Sequence, residues 1–281
     1  MSESMMIVTT LEELWQALRL LERPLGLVPT MGYLHEGHIS LARHAREECS
    51  SVAATIFVNP TQFGPNEDLA RYPRNIEGDL KLLEAAGTDL VWMPTPEVMY
   101  PPRFQTWVTV ETLTAPLEGA MRPGHFRGVT TVVSKLFNAI QPEKAYFGQK
   151  DAQQAAVIRQ MARDLSYPTE IVICPTVRDA DGLAMSSRNS YLNPEERQAA
   201  TVLFRALTAA EFAYINGERD AETLRRRMRE TIAAEPLARL QYVSCADYDT
   251  LVELETVTSK TLLSMAVFVG KTRLIDNFVL R

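Results

Sequence analysis

A loop between a buried strand and a helix is encoded by the segment Pro29-Thr-Met-Gly-Tyr-Leu-His-Glu-Gly-His38. The apolar run Leu25 to Val28 before it predicts a buried strand that ends at Pro29. Apolar residues from Leu41 onward recur at helical spacing, which predicts a helix that begins near Gly37. Ligands of open parallel sheets bind at the carboxyl ends of strands, so this loop is the first candidate binding segment.

Strand and helix patterns continue to alternate up to about Thr176. Further strands are predicted at residues 52–58, 90–93, 144–147 and 171–174. Helices are predicted from a capping box at Thr10-Leu-Glu-Glu13 to about Leu21, from Ile76 to Gly87, and around residues 129–140 and 157–165. Because strands that alternate with helices need crossover connections, we expect a Rossmann-like α/β fold, a parallel sheet with helices on both faces.

A different pattern follows, and it predicts a second, smaller domain. Asn193-Pro-Glu-Glu196 combines a capping Asn with Pro at the first helical position, and it predicts a helix that runs to about Asn216. A second helix is predicted near Asp220, and strands at residues 242–246 and 261–269. Helices followed by consecutive strands indicate an α+β domain. We therefore divide the chain into residues 1–176 and residues 177–281.

The composition argues against several classes of protein. The 281 residues carry a formal net charge of −6, whereas proteins that bind nucleic acid usually present a basic face. No stretch approaches the roughly 18 apolar residues of a membrane-spanning helix, and Met1 to Ile7 does not resemble a secretory signal. Cys49, Cys174 and Cys245 are too scattered for a zinc site or a disulfide framework. We expect a soluble cytoplasmic protein with reduced cysteines and with no nucleic-acid or membrane partner.

Two histidines in the first loop suggest phosphate chemistry. His35 and His38 share one face if the first turn of the helix begins there. A helix N-terminus presents N–H groups and a partial positive charge, and Gly32 and Gly37 leave room for a nucleotide to approach the backbone. The imidazoles could then donate hydrogen bonds to phosphate oxygens that gain charge during phosphoryl attack. Two alternatives stay open: a tight turn with exposed histidines, and a two-histidine metal site, for which no third ligand is evident.

Two later segments carry further candidates for phosphate binding. Met185-Ser-Ser-Arg188 follows Asp181-Gly182 and sets two hydroxyls beside a guanidinium, which suits the β- and γ-phosphates of a nucleotide. An ordinary polar loop would have the same composition. Gly148-Gln-Lys-Asp151 lies between a predicted strand and a helix, where Lys150 could neutralise phosphate charge. Asp151 is also a candidate helix cap.

Two glutamines and a Pro-Gly turn complete the candidates. Gln62 follows the second strand, and Gln154 lies one helical turn beyond Lys150. Neutral amides can bind both the carboxylate and the hydroxyls of a small substrate, although isolated glutamines are usually surface groups. Arg122 and Arg127 flank a Pro-Gly turn that could bind an anion or simply be exposed to solvent. The sequence contains no Walker-type phosphate loop, no dinucleotide fingerprint and no nucleophile elbow.

Taken together, these motifs resemble known enzymes. His-x-Gly-His after the first strand, with Met-Ser-Ser-Arg late in the chain, resembles the nucleotidyltransferase superfamily that includes class I aminoacyl-tRNA synthetases. The complete sequences of the motifs resemble the pantothenate synthetase family. The segments that carry this resemblance are Pro29–His38, Ile56–Phe63, Arg71–Arg74, Arg122–Gly128, Phe147–Asp151 and Asp181–Asn189. From about Asn193 onward, few distinctive motifs remain.

The resemblance implies a reaction and a set of residue roles. Pantoate is condensed with β-alanine through a pantoyl-adenylate, with ATP and Mg²⁺, by a homodimer whose C-terminal domain covers the active site. The residues implied to bind ATP are Met31, Gly32, Tyr33, Leu34, His35, Glu36, Gly37, His38, Gly148, Gln149, Lys150, Asp151, Val177, Met185, Ser186, Ser187 and Arg188. Catalytic roles are implied for His38, as the proton donor, and for His35, Lys150, Ser186, Ser187 and Arg188. Gln62 and Gln154 are implied to hold pantoate, and Gln62 also to contact β-alanine.

Two positions depart from the family pattern. Asn75-Ile-Glu-Gly-Asp79 holds two acids where relatives can carry several near Mg²⁺, so no protein ligand is assigned to the metal. Thr61 stands where relatives often have Met, which would alter the pantoate pocket slightly without changing the reaction.

Two other functions stay open on the sequence alone. A simple nucleotidyltransferase would stop at adenylyl transfer to a phosphate, and the two glutamines and the Lys150-Asp151 segment count against it. A non-catalytic nucleotide- or RNA-binding module is the other, and the acidic balance of the chain and the lack of a basic aromatic surface count against RNA.

Overall fold

The structure, a computed structural model, describes residues 4–65 and 67–281. Residues 1–3, part of the N-terminal segment interpreted above, lie outside the described residues. The chain divides into two compact units, Met1–Gly148 with Val157–Pro175 and Gln149–Ala156 with Thr176–Arg281. The domain division at residues 176 and 177 stays a prediction, and it assigns residues 149–156 and residue 176 differently. No helix in the described part of the chain is long and apolar enough to cross a membrane.

The first unit is built on a six-stranded parallel sheet, which confirms the predicted fold class. Its strands are β1 (Met6–Val8), β2 (Leu25–Thr30), β3 (Ser51–Ile56), β4 (Leu90–Trp92), β5 (Lys144–Gly148) and β6 (Glu170–Cys174). They lie side by side in the order β1-β4-β3-β2-β5-β6. Strand order therefore reverses between β2 and β5, and in sheets of this kind the reversal point is where ligands bind.

Both faces of this sheet are covered by other parts of the unit. Successive side chains of a strand point to opposite faces. Leu27 and Val28 are nevertheless both fully buried, and so are Ala53 and Ala54 on the neighbouring strand. A parallel sheet that is buried on both sides reads as a continuous apolar run, which is why the sequence pattern identified β2 and β3.

The described residues of the first unit form helices α1 to α6, and α7 begins in the second unit and ends in the first. Their bounds are α1 (Leu11–Leu18), α2 (Glu36–Glu48), α3 (Ile76–Ala85), α4 (Pro96–Met99), α5 (Glu118–Met121), α6 (His125–Ile140) and α7 (Ala152–Asp164). The capping box at the start of α1 is confirmed, since Thr10 accepts from the Glu13 N–H and Glu13 accepts from the Thr10 N–H. α2 buries Leu41, Ala42 and Ala45 at helical spacing.

Several boundaries in this unit differ from the predicted ones. β2 does not end at Pro29 but continues to Thr30. Pro29 has no backbone N–H to donate. Because β2 pairs with β5 only at Gly26 and Leu27, no hydrogen bond between these two strands is lost at Pro29. α1 ends at Leu18, one turn before the predicted end. The three-residue strand β1 and the four-residue helices α4 and α5 are too short to produce a periodic pattern.

The second unit is an α+β unit, as predicted. It contains α8 (Pro194–Ala199), α9 (Val202–Ile215) and α10 (Ala221–Ala233), and an antiparallel sheet of β7 (Ala238–Asp247), β8 (Thr261–Val269) and β9 (Thr272–Val279). Asn193 caps α8 in a capping box with Glu196, as the sequence indicated. Buried side chains of α9 and α10 form one apolar cluster with buried side chains of β8, such as Met265.

One prediction for this unit is wrong, and one strand was missed. The helix predicted from Asn193 to Asn216 is interrupted, because the N–H of Thr201 bonds to the Gln198 carbonyl in a tighter turn between α8 and α9. Strand β9 was not predicted at all. Its buried positions include Asp276 and Asn277, and these polar residues hide the alternation that normally identifies a strand.

Candidate active site

The histidine pair lies where β2 meets α2, and the two rings are neighbours. His35 is the N-cap of α2 and His38 lies in its first turn, with ring centroids 4.1 Å apart. The predicted shared face is therefore confirmed. Both rings are half-buried. α2 follows the carboxyl end of β2, and Gly148 ends the adjacent strand β5, so the structure brings Met31–His38 and Gly148 to the reversal point of the sheet.

Backbone hydrogen bonds determine which nitrogen of each ring carries the proton. Nδ1 of His35 accepts from the Gly37 N–H at 3.1 Å, and Nδ1 of His38 accepts from the His35 N–H at a longer 3.4 Å. A neutral imidazole whose Nδ1 accepts must carry its proton on Nε2. Each ring is thus a hydrogen-bond donor at Nε2, which is the form needed to stabilise a phosphate oxygen.

A buried carboxylate, which the sequence analysis did not select, fixes the loop before the histidines. Asp79 of α3 is 2% exposed. Its two oxygens accept from the backbone N–H groups of Tyr33 at 2.8 Å and Leu34 at 2.7 Å. Gly32 and Tyr33 both have positive φ, and a Cβ at Gly32 would lie 3.1 Å from an Asp79 oxygen. Asp79 therefore holds a backbone turn that few residues adopt unaided.

The acids of the Asn75–Asp79 segment do not fit a metal site. Both oxygens of Asp79 are engaged by the backbone, and Glu77 is exposed and pairs with Lys81 at 2.6 Å. Within residues 4–65 and 67–281, no group of three or more His, Cys, Asp or Glu side chains is placed to hold a metal ion. The two-histidine metal site considered above therefore gains no support.

Gln62 is placed against the first loop by the short 3-10 helix Pro60–Gln62. Its Nε2 lies 3.2 Å from the Met31 sulfur, so the structure brings these two predicted residues together. Its Oε1 accepts from Nδ2 of Asn59 at 3.0 Å, and Asn59 is 1% exposed. Asn59 also accepts from the Tyr100 hydroxyl at 2.7 Å. The amide of Gln62 is therefore oriented by a buried partner rather than left as a surface group.

The supposed anion-binding turn between Arg122 and Arg127 is engaged within the protein. Arg122 forms a two-point ion pair with Glu67, with both N–O distances 2.7 Å. The guanidinium of Arg127 lies over the Trp107 ring at 4.7 Å. Pro123 and Gly124 are exposed, as the solvent-exposed interpretation predicted, whereas His125, which follows them, is 8% exposed.

In the second unit, Gln149, Lys150 and Asp151 form a single 3-10 turn before α7. A buried side chain of β9 holds this turn. Nδ2 of Asn277 donates to the carbonyls of Gln149 at 3.0 Å and Lys150 at 2.8 Å, and its Oδ1 accepts from Nε2 of Gln149 at 2.9 Å. The ammonium of Lys150 lies 4.0 Å from Asp151, and the Lys150 side chain is 20% exposed. Gln154 lies half-buried in the first turn of α7.

Val177 and Met185 are brought together by a hairpin-like turn in the same unit. The Met185 N–H donates to the Val177 carbonyl at 3.0 Å, and Gly182 turns the chain with a φ of +89°. Arg178 anchors the turn through a two-point ion pair with Asp276, which is 2% exposed.

Ser186 and Arg188 follow this turn directly. Ser186 caps the 3-10 helix Ser187–Tyr191, and its Oγ accepts from the Arg188 N–H at 3.3 Å. Because that oxygen already accepts from the backbone, its hydroxyl proton can be donated elsewhere, which suits a phosphate oxygen. Ser187 is buried and Arg188 half-buried.

Comparison with known proteins assigns the family. The family model described as pantoate-beta-alanine ligase matches residues 5–279. The chain belongs to the pantoate–β-alanine ligase family. A pantothenate synthetase from Herpetosiphon aurantiacus is 62% identical to it over 277 residues, with 98% of this chain and 100% of the relative covered.

Solved structures agree with this assignment to the ligase family. A pantothenate synthetase from Thermus thermophilus superposes with a TM-score of 0.94 at 48% identity, covering 98% of this chain and 99% of that one. A pantoate–β-alanine ligase from Francisella tularensis, complexed with beta-gamma ATP and β-alanine, has a TM-score of 0.82 at 34% identity and covers 98% of both chains. The ligase described here is therefore an enzyme.

Proposed function

We propose that the residues described above carry out the ligase reaction in two half-reactions. The chain condenses (R)-pantoate with β-alanine to give pantothenate, and ATP is cleaved to AMP and pyrophosphate. In the first half-reaction, the carboxylate of pantoate attacks the α-phosphate and expels pyrophosphate. In the second, the amine of β-alanine attacks the carbonyl carbon of the pantoyl-adenylate and AMP leaves.

Met31 to His38 form the first part of the proposed ATP site. The observation that carries this proposal is the pair of backbone hydrogen bonds to Nδ1, which leaves His35 and His38 as Nε2 donors. Negative charge on phosphate oxygens grows as pyrophosphate departs, and donors fixed in advance stabilise that charge without reorganising. We assign the proton donor to His38.

Gly148 to Asp151, Val177 and Met185 to Arg188 form the second part of the proposed ATP site. Lys150 supplies a positive charge from a turn whose carbonyls are held by Asn277. Ser186 supplies a hydroxyl donor, with a second proposed from Ser187, and Arg188 supplies a guanidinium that can grip two phosphate oxygens at once. The reaction needs no covalent enzyme nucleophile, so positioning and charge stabilisation are proposed to supply the catalysis.

Gln62 and Gln154 form the proposed pantoate site, and Gln62 is proposed also to contact β-alanine. Oε1 of Gln62 accepts from Asn59, which directs its Nε2–H donors away from that residue and towards the Met31 side. A carboxylate can displace the weak contact with the Met31 sulfur at little cost, since a thioether is a poor acceptor. The acyl group would then lie beside the segment proposed to bind ATP.

Mg²⁺ is proposed to accompany ATP, bound through phosphate oxygens and water. The charge of the triphosphate supports this, as does the reluctance of Mg²⁺ to lose its water ligands. The acids of the Asn75–Asp79 segment are committed elsewhere, so no step is assigned to a protein-held metal.

A homodimer and a cytoplasmic location are proposed as well. The homodimer rests on the family resemblance, and size-exclusion chromatography with light scattering would test it. The location is supported by the three cysteines, Cys49, Cys174 and Cys245, which are buried thiols without disulfides, as expected in a reducing compartment.

Gln62→Ala is expected to raise the KM for pantoate on the order of tenfold or more while the KM for ATP stays within about twofold, because a buried substrate carboxylate loses a donor. Gln62→Glu is the matched control, since it keeps the shape of the side chain but sets a negative charge against the carboxylate. It should weaken pantoate use further. Steady-state kinetics with each substrate varied in turn would measure this, and an unchanged pantoate KM and kcat in Gln62→Ala would remove the assigned role.

Asn277→Ala is expected to slow pyrophosphate release about tenfold. Two carbonyls of the turn that carries Lys150 lose their hydrogen-bond donor, and small misplacements at a reacting centre are costly. Asn277→Asp keeps the acceptor for Gln149 but loses both donors, so it should behave like the alanine variant. A rapid-quench assay with ATP and pantoate would measure the rate. Wild-type rates in both variants would show that the turn does not depend on Asn277.

An AMP-release assay tests the overall assignment. AMP should appear in quantity only when ATP, pantoate and β-alanine are all present, and pyrophosphate should appear with ATP and pantoate alone in amounts near one per active site. Pyrophosphate release that needs neither pantoate nor β-alanine would favour a simple nucleotidyltransferase. ATP binding without any AMP would favour a non-catalytic nucleotide-binding module.

A further inference from the structure

A partly buried chain of polar groups in the first unit leads from Glu67 to the backbone of Gln62. Glu67 and Arg122 form the two-point ion pair described above, and Glu118 lies 3.8 Å from the same guanidinium. Nη1 of Arg122 lies 3.1 Å from Nε2 of His125, and Nδ1 of His125 lies 2.8 Å from the carbonyl oxygen of Gln62. The Arg122 side chain is only 13% exposed.

The direction of every hydrogen bond in this chain is fixed by chemistry. A guanidinium can only donate, so Nε2 of His125 accepts from Arg122. A carbonyl can only accept, so Nδ1 of His125 carries the proton and donates to Gln62. Both requirements are met by one neutral tautomer. Burial and the charge of Arg122 lower the pKa of His125 to about 4, which keeps the ring neutral at physiological pH.

The ion pair at the far end keeps Arg122 in place. Burial works against the charged form of Glu67, but the hydrogen bonds and the charge of Arg122 outweigh it and lower the pKa of the carboxyl. Two parallel N–H···O bonds set the plane of the guanidinium as well as its position. Nη1 is therefore aimed at His125 rather than free to rotate.

The helix that carries His125 packs directly on the Gln62 turn. A Cβ added at Gly128 would lie 2.5 Å from the Thr61 carbonyl oxygen and 2.7 Å from the Gln62 nitrogen, so α6 approaches the backbone as closely as glycine permits. The Gly128 carbonyl also accepts from Asn59 at 3.1 Å, and Asn59 orients the Gln62 amide. The first turn of α6 thus holds both the backbone and the side chain of Gln62.

We propose that His125, held in one tautomer by the Arg122–Glu67 pair, is a positioning residue that sets Gln62 for pantoate. This rests on the proposed role of Gln62 in binding pantoate. His125 itself is not assigned a contact with substrate. Loss of its donor removes a hydrogen bond from the Gln62 carbonyl in a partly buried place, and we expect the turn to shift in response.

Two substitutions of nearly equal size separate this role from simple packing. In His125→Asn, the amide nitrogen can take the place of Nδ1 and donate to the Gln62 carbonyl. In His125→Gln, the amide reaches instead to the place of Nε2, and the carbonyl loses its donor. We expect His125→Gln to raise the KM for pantoate about tenfold, whereas the pantoate KM of His125→Asn should stay within about threefold of wild type. The two variants should have similar melting temperatures and similar KM values for ATP.

Arg122→Lys gives a second test that does not alter the ring. Lysine keeps the charge but cannot contact Glu67 at two points and His125 at once. The pantoate KM should rise about fivefold to tenfold, again with the ATP KM unchanged. If the pantoate KM is the same in His125→Asn and His125→Gln, or if the ATP KM rises equally in His125→Gln, the positioning role is overturned.

The double variant Gln62→Ala with His125→Gln distinguishes failure of the inference from failure of the proposed function. If His125 acts through Gln62, the double variant should have the same pantoate KM as Gln62→Ala. If Gln62→Ala raises the pantoate KM but His125→Gln does not, only the positioning role fails. If Gln62→Ala has no effect, the pantoate site is misassigned and the inference falls with it.

Discussion

His38→Ala and Lys150→Ala are each expected to slow formation of the pantoyl-adenylate by about a hundredfold or more, as is usual when a donor to a charged transition state is removed. His38 is fixed as an Nε2 donor by its contact with the His35 N–H, and Lys150 lies on a turn held by Asn277. Both groups gain importance only as charge moves onto the departing pyrophosphate. ATP binding should therefore weaken far less than the rate falls.

Two matched variants of His38 test the tautomer argument. His38→Gln places an amide donor near the position of Nε2, whereas His38→Asn can replace only the Nδ1 acceptor that receives the His35 N–H. We expect His38→Gln to retain more activity than His38→Asn. Single-turnover pyrophosphate release without β-alanine is the measurement, since it isolates the first half-reaction. Near-normal release in both alanine variants would contradict the roles given to His38 and Lys150.

Asp79→Ala is expected to lower both activity and stability. Its carboxylate satisfies two backbone N–H groups of the first loop, and leaving them unpaired in a buried place should cost about 2–5 kcal/mol of unfolding free energy. Pyrophosphate release should fall on the order of tenfold to a hundredfold, because the loop that leads to His35 and His38 loses its anchor.

Asp79→Asn is the control for the loop anchor. It keeps one acceptor oxygen but turns an amide N–H toward the other backbone N–H, so its loss of stability should lie between wild type and Asp79→Ala. Urea unfolding and the same release assay would measure both effects. If Asp79→Ala unfolds at the same urea concentration as wild type, the carboxylate does not anchor the turn. If it unfolds at a lower urea concentration but releases pyrophosphate at the normal rate, the turn does not matter for catalysis.

Local sequence patterns were sufficient for most of the first unit. The buried strands β2, β3 and β5 appear as apolar runs, and the cap at Thr10 obeys a short-range rule, as does the cap at Asn193 in the second unit. These signals depend on neighbours within four residues, so one sequence is enough to detect them. The same approach failed at β9, where a strand of a three-stranded sheet carries buried polar residues.

The residues that hold the site could not be found in this way, because their partners are distant in sequence. Asp79 contacts Tyr33 across 46 residues, His125 contacts Gln62 across 63, and Asn277 contacts Gln149 across 128. No spacing rule links such pairs. Buried polar side chains usually have a hydrogen-bond partner, but the local pattern does not mark these three residues as buried: Asp79, for example, lies in a helix that also carries Glu77 and Lys81.

The most direct measurement of the reaction uses pantoate labelled with ¹⁸O in both carboxylate oxygens. If the carboxylate attacks the α-phosphate, one labelled oxygen becomes the bridge of the adenylate and leaves with AMP when β-alanine attacks the carbonyl carbon. Mass spectrometry should then find one ¹⁸O in each AMP and none in pyrophosphate. Unlabelled AMP, or label in an inorganic phosphate released together with ADP, would contradict the adenylate and with it the roles assigned to the histidine pair.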